Sequence, residues 1–183
     1  QLLHMKYDDQ IAFKQRIVEE CFKKGKLPFK IDTIIPAKKQ TAYRNKMQVA
    51  YKYREGKIVY GFYEEESHRI IHLNHCLVQS ERQNEIVKYV QQIMQQLKLS
   101  PYNEDKRTGL IRFVLVREAH VTGEVMVIVV TNGDIFPSRS EFVKRLKDKF
   151  PYITTIIQNI NNRKTSIILG EEERILFGKG YIE

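Results

Sequence analysis

Apolar residues recur at helical spacing in "DDQIAFKQRIVEECFKKG", where Ile11, Phe13, Ile17, Val18, Cys21 and Phe22 form a stripe. Asp8 or Asp9 is placed to cap this helix and Gly25 to end it, and Cys21 is expected in its apolar contact face. "KLPFKIDTIIPAKKQTA", with two prolines and no period, reads as a linker. Alternation then takes over. "KMQVAYKY", "KIVYGFY" and "HRIIHL" predict three strands, the first two joined by a tight Arg54-Glu55-Gly56 turn. Ser80-x-x-Gln83 forms a capping box before the stripe Ile86, Val87, Val90, Ile93, Met94 and Leu97, and Ser100-Pro101 closes that helix.

The second half repeats the scheme. "LIRFVLVREA" and "EVMVIVVT" flank a Val121-Thr122-Gly123 turn and predict a hairpin. Ser138-x-x-Glu141 predicts a capped helix carrying Phe142, Val143, Leu146 and Phe150, stopped by Pro151. "ITTIIQNI", "TSIIL" and "RILFG" predict three further strands. Runs of adjacent strands separated by single helices imply an α+β fold: a mostly antiparallel sheet with two or three packed helices.

Composition narrows the function. The chain has 183 residues, with 31 Lys+Arg against 22 Asp+Glu and a formal charge of +9. That excess favours a polyanionic partner, above all nucleic acid. No apolar run approaches the ~20 residues of a membrane helix, so no membrane partner is expected. Two cysteines do not make a disulfide framework, which points to a reducing cytoplasm. The chain opens at Gln1 without an initiator methionine and stops at "GKGYIE", which predicts a piece of a longer protein.

One stretch concentrates candidate ligands. "SHRIIHLNHCLVQSE" holds His68, His72, His75 and Cys76, in a chain with five histidines in all. A zinc site of nitrogen and sulfur ligands is one reading. On a strand His68 and His72 share a face while His75 lies past its end, so convergence is not built in. Cys76 as a small buried hydrophobe is another reading.

Candidate nucleic-acid contacts come from basic residues beside aromatic ones. "TAYRNKMQ" puts Arg44 and Lys46 at one parity of a strand start, with Tyr43 and Asn45 at the other. That suits phosphate contact next to base stacking. Arg112 and Arg117 lie in "LIRFVLVRE" at opposite parity, Lys106 and Arg107 in the loop before it, and Asn159 and Asn161 alternate to one side in "QNINN". A solvated face is the alternative for the cations, and turn chemistry for the asparagines. "YEEES" reads as a solvated turn, and no carboxylate constellation supports a metal-dependent hydrolase.

"AYRNKMQ", "GFYEEESHRIIHLNHCLVQ", "LIRFVLVREAHVTGEVMVIVVT" and "IIQNINNRKTSIILG" occur in that order, after an opening "QLLHMKYDDQIAFKQ". Together they resemble the bacterial RNA uracil-5-methyltransferases, most closely the 23S rRNA branch of Gram-positive bacteria. The resemblance covers nearly the whole chain. It implies an S-adenosylmethionine-dependent enzyme in which a cysteine adds to C6 of a uridine, C5 takes the methyl group, and a base removes the C5 proton. It also implies that this chain is the central domain. Residues 1–30 would be a helical segment that in the family packs near the methyltransferase domain, and residues 31–183 the α+β substrate-facing domain. The N-terminal barrel, the cluster cysteines and the catalytic domain would lie outside. No catalytic or S-adenosylmethionine-binding residue is then expected here, and the chain by itself should be inactive.

The resemblance adds a reading of Cys76 as the distant fourth ligand of a 4Fe–4S cluster whose other three cysteines lie upstream. One thiolate holds no cluster, so this chain alone is expected to carry neither cluster nor S-adenosylmethionine. The stretch Tyr43–Lys46 lies near bound RNA in the family. Phe113 departs from a pattern that often has histidine there. The substrate implied is 23S rRNA, with transfer RNA as the alternative. A stand-alone, non-enzymatic RNA-binding module is the competing class.

Overall fold

The computed structural model describes residues 2–183; Gln1, at which the chain opens, lies outside the described residues. The chain divides into two compact units after Thr41, so residues 31–41 group with the first unit rather than with the sheet.

The first unit is built on helix α1, Tyr7–Lys24. Its N-cap is Lys6, with no side-chain cap. Asp8 and Asp9 sit inside the first turn, where their carboxylates face the positive end of the helix dipole instead of capping it. Gly25 ends the helix as its place in the sequence predicts. The segment after it is tied back along α1. Gln15 accepts from Ile34 N at 2.9 Å and donates to Asp32 O at 3.1 Å, and Ala37 N donates to the Tyr7 hydroxyl at 2.6 Å. No residue of α1 is fully buried, and Cys21, expected in a packed face, is exposed.

The second unit is one seven-stranded sheet in the order β3-β2-β1-β4-β5-β6-β7. The strands are β1 Lys46–Arg54, β2 Lys57–Tyr63, β3 Ile70–His72, β4 Ile111–Glu118, β5 Val125–Thr131, β6 Ile153–Ile160 and β7 Glu172–Phe177. Every pairing is antiparallel except β5–β6, which helix α3, Arg139–Lys149, connects. The α+β, mostly antiparallel class expected from the sequence is the class observed. Glu55 and Gly56 both have positive φ, the two-residue turn that suits the twist of a hairpin.

Helix α2, Glu81–Gln96, carries the capping box as read. Ser80 Oγ accepts from Gln83 N, and Ser80 N donates to Gln83 Oε1, each at 3.2 Å. Its stripe Ile86, Val87, Val90, Ile93 and Met94 is buried against Met47, Val49 and Tyr51 of β1 and Val114 and Val116 of β4. Tyr51 hydroxyl donates to Val87 O at 2.8 Å, and burial pushes its pKa well above the ordinary value. The second capping box does not form. Ser138 takes a left-handed conformation (φ 54°) and caps nothing, and Glu141 pairs with Arg145 at 2.7 Å.

"TSIIL" is not a strand but part of the loop between β6 and β7. A second apolar cluster, with Ala50, Phe113, Leu115, Met126, Ile128, Val130 and Ile157, lies on the sheet face away from α2 and α3. Ile168 and Leu169 of that loop pack on it. Gly61 is fixed by crowding, since a Cβ there would overlap the Ile71 carbonyl oxygen of the neighbouring strand. Gly61→Ala is expected to loosen β3 and cost about 1–3 kcal/mol, read as a lower urea midpoint; an unchanged midpoint would remove this account of the glycine.

Candidate nucleic-acid interface

Met47, Val49 and Tyr51 of β1 enter the core beneath α2, so the alternate residues, Lys46, Gln48, Ala50, Lys52 and Arg54, occupy the helix-free face. Lys46 lies directly across from Arg117 of β4, and both side chains are exposed. Cross-strand neighbours on one face sit about 4.5–5.5 Å apart at Cβ, so the two cations form one positive spot.

Tyr43, Arg44 and Asn45 are exposed just ahead of it. The strand itself begins at Lys46 and Asn45 is a bend, so the alternation read through Arg44 stops there. Arg44 N instead donates to Val78 O at 3.0 Å and Ala42 N to Leu77 O at 2.8 Å, which fixes this entry segment beside residues 77–79. Lys106 and Arg107 are exposed in a tight turn held by Asn103, whose Oδ1 accepts from Asp105 N and Lys106 N. Arg44, Lys46, Lys106, Arg107 and Arg117 make no ion pair with a carboxylate among the described residues.

Three sequence candidates do not join this surface. Arg112 is 2% exposed. Its guanidinium donates to the carbonyls of Asn161, Arg163 and Thr165 and to both carboxylate oxygens of Glu104, at 3.0–3.3 Å. It also lies 4.7 Å from the Tyr102 ring centroid. Asn159 is buried, accepting from Gly170 N at 2.7 Å and donating to Gly170 O and Glu173. Asn161 is buried and donates to Ile167 O and Ile168 O. Their side chains are buried and bonded mainly to the 161–170 loop and to Glu104, which takes them off the exposed surface. The register of β4 shifts between Ile111 and Phe113, and this irregularity turns Arg112 inward. The signal was present in part, because an arginine inside the apolar run "LIRFVLV" has no solvent-facing neighbours.

Sequence reasoning missed a cleft of about 610 Å³ on the helix-free face. Its floor follows from size. Ala50 and Gly61 are directly paired across β1 and β2, and Phe113 is the next partner of Ala50 on β4. The two small residues leave a hollow beside a large ring. Tyr63 meets Phe113 edge to face at 5.9 Å, and burial pushes the Tyr63 hydroxyl up to about 12. Three carboxylates reach the rim. Glu64 is held by Arg69, which keeps its pKa below the usual carboxylate value, and Glu104 is held by Arg112. Glu66 makes no ion pair among the described residues.

The histidines diverge. His68 donates to Asp105 at 2.9 Å, His72 lies 3.2 Å from Tyr60 O, and His75 donates to Glu81 at 2.9 Å. Among the described residues no three His, Cys, Asp or Glu side chains converge as a metal site, which removes the local zinc reading. Cys76 is half-buried, its backbone clamped by Asn84, which accepts from Cys76 N at 2.9 Å and donates to Cys76 O at 3.2 Å.

No family model matches the chain. Proteins named uncharacterized RNA methyltransferase do. One from Halalkalibacterium halodurans is 35% identical over 184 residues, and one from Clostridium acetobutylicum is 37% identical over 187. One from Listeria monocytogenes is 37% identical over 183 residues. The chain is homologous, end to end, to a segment of these RNA methyltransferases. It spans only about 40% of their length, while all of it is covered. In fold it matches the crystal structure of Pyrococcus abyssi tRNA (uracil-54, C5)-methyltransferase in complex with S-adenosyl-L-homocysteine. That match has a TM-score of 0.75 at 24% identity and covers 99% of this chain and 40% of that one.

Arg112→Met strands Glu104 and three carbonyls and is expected to cost about 3–5 kcal/mol, whereas Arg117→Ala should stay within about 0.5 kcal/mol. Paired urea melts separate the two; equal effects would contradict the division between internal and surface arginines.

Proposed function

We propose that this chain is the non-catalytic, substrate-facing part of an S-adenosylmethionine-dependent enzyme that methylates C5 of a uridine in 23S rRNA. The observation that carries the RNA role is the helix-free face of β1. Exposed cations at Lys46 and Arg117, without an ion-pair partner among the described residues, stand next to Tyr43 and Arg44 in a chain of net charge +9. The end-to-end homology to proteins named RNA methyltransferases supports the class of reaction.

In this reaction the methyl group moves from the sulfonium of S-adenosylmethionine to C5, the C5 proton leaves, and S-adenosylhomocysteine remains. A uracil stacked within RNA must be turned out of its stack first, so the strand flanking it has to be held. Tyr43, Arg44, Lys46, Lys106, Arg107 and Arg117 would hold it, the cations on phosphates and Tyr43 against a base. The chain alone would be inactive. The Pyrococcus likeness favours a second reading of the substrate, transfer RNA. The cytoplasm is the compartment that both substrates imply.

Cys76 would supply the fourth ligand of a 4Fe–4S cluster in the intact protein. The residues present fit this in part. A half-buried thiol on a clamped turn is a suitable ligand, and its partners would have to come from outside this chain.

The full-length protein, incubated with methyl-labelled S-adenosylmethionine, should label 23S rRNA at C5 of uridine and leave tRNA unlabelled. Label in tRNA alone would transfer the reading to the second substrate, and label in neither would end it. For this chain, affinity for single-stranded RNA should fall with salt, the slope losing about 0.7–0.9 for each phosphate contact removed by Lys46→Ala or Arg117→Ala. A slope that neither variant changes would contradict the placement.

A further inference from the structure

Three carboxylates, Glu64, Glu66 and Glu104, reach the rim of the cleft floored by Ala50 and Gly61, which makes it a poor seat for phosphate. Its position in the cation pattern is nevertheless specific. Along the helix-free face of β1, Lys46 stands at one end and Lys52 and Arg54 at the other, with Gln48 and Ala50 of the cleft between them. Six residues of strand span about 20 Å, comparable to the short end of the roughly 4–16-nucleotide footprints of single-strand binders. Lys57 pairs with Arg54 across the hairpin and adds a third cation at that tip. Lys52 lies close enough to Asp105 to help lower its pKa, behind the larger effect of the His68 hydrogen bond, and His68 lines the cleft.

Inside the cleft, several polar groups are already engaged: Glu64 by Arg69, Glu104 by Arg112, and His68 by Asp105. Four are not, among the described residues, and two of these, the hydroxyls of Tyr63 and Ser166, both donate and accept and so do not choose between bases. The Gln48 side-chain amide makes no hydrogen bond among the described residues, and Glu66 makes neither an ion pair nor a side-chain hydrogen bond. Both face a hollow walled by the Phe113 and Tyr63 rings. An aromatic wall stacks any base. An amide offers one acceptor and one donor side by side, which pairs with an exocyclic amine next to a ring nitrogen and equally with uracil's N3–H next to a carbonyl, so the choice among bases falls to Glu66. A lone carboxylate accepts from an amine and repels a carbonyl.

We propose that the cleft takes one unpaired nucleobase bearing an exocyclic amine (adenine, cytosine or guanine) from the strand beside the target uridine. Lys46 and Arg117 hold the backbone on one side and Lys52 and Arg54 on the other. The proposal rests on the RNA-contact reading above and adds to it a position that reads sequence. Phosphate is disfavoured by the carboxylates at the rim, and uracil is disfavoured because its one donor on that edge, N3–H, is flanked by two carbonyls that Glu66 repels.

The test uses this 183-residue chain and fluorescein-labelled oligoribonucleotides of about eight nucleotides, with binding followed by anisotropy at low salt. Oligo(A) or oligo(C) should bind about fivefold or more tighter than oligo(U), the lower end of the discrimination a paired side chain gives. Glu66→Gln keeps the shape at an exposed position and adds a donor, so it should bring the oligo(U) affinity to within about twofold of the others. Lys52→Glu with Arg54→Glu should weaken all three oligonucleotides about tenfold or more through lost phosphate contacts. Equal affinities for A, C and U, or a preference that survives both Glu66→Gln and Gln48→Leu, would overturn the base-reading cleft while leaving the RNA surface in place. No binding by any oligonucleotide would overturn the RNA reading itself.

Discussion

Three alternate residues of β1, Met47, Val49 and Tyr51, are committed to the core beneath α2, and the rest of the surface follows from that. Met47, Val49 and Tyr51 are buried under Ile86, Val87, Val90 and Met94, with the Tyr51 hydroxyl tied to the helix backbone. A slip of one residue would turn cations into this core, so the register is strongly held. The partner positions Lys46, Gln48, Ala50, Lys52 and Arg54 therefore form a fixed row on the opposite face. Pairing with β4 then brings Arg117 across from Lys46, and pairing with β2 brings Gly61 across from Ala50. Charge at the ends of the row and a hollow at its middle are thus consequences of one packing decision.

Much of this was legible in the sequence because it is periodic. The α2 stripe, its Ser80–Gln83 box and the Glu55-Gly56 turn depend on local chemistry and appear as read, and the alternation in "KMQVAYKY" holds through Tyr51 but not to the exposed Tyr53. What failed depends on partners distant in the chain. "TSIIL" has strand composition, but Arg112 and Asn161 capture the carbonyls around it and hold a loop. Ser138 fits a capping box by spacing alone, and a left-handed backbone there removes its side chain from the helix end. Asp8 and Asp9 lie two and three residues past the N-cap Lys6, too late to cap α1.

The candidate site divides in the same way. Exposure of Tyr43, Arg44, Lys46, Lys106, Arg107 and Arg117 agrees with their reading as surface contacts, which stands as a proposal. Arg112, Asn159 and Asn161 share the composition of a nucleic-acid surface but are buried connectors. Burial costs a charged group heavily unless it is paired and bonded, and Arg112 is both. The cleft was not legible at all, because it is an absence of side chain produced by two small residues meeting across strands. The histidine-rich stretch was the most conspicuous local feature, and its three imidazoles point to three different partners.

The central claim is that RNA lies on the helix-free face of β1. Photocrosslinking of a single-stranded RNA carrying 4-thiouridine, followed by peptide mapping, tests it directly. Crosslinks should fall within Tyr43–Arg54 and Phe113–Arg117. Crosslinks confined to the helix side, at Lys88 or at Lys144 and Lys147 of α3, would contradict the account.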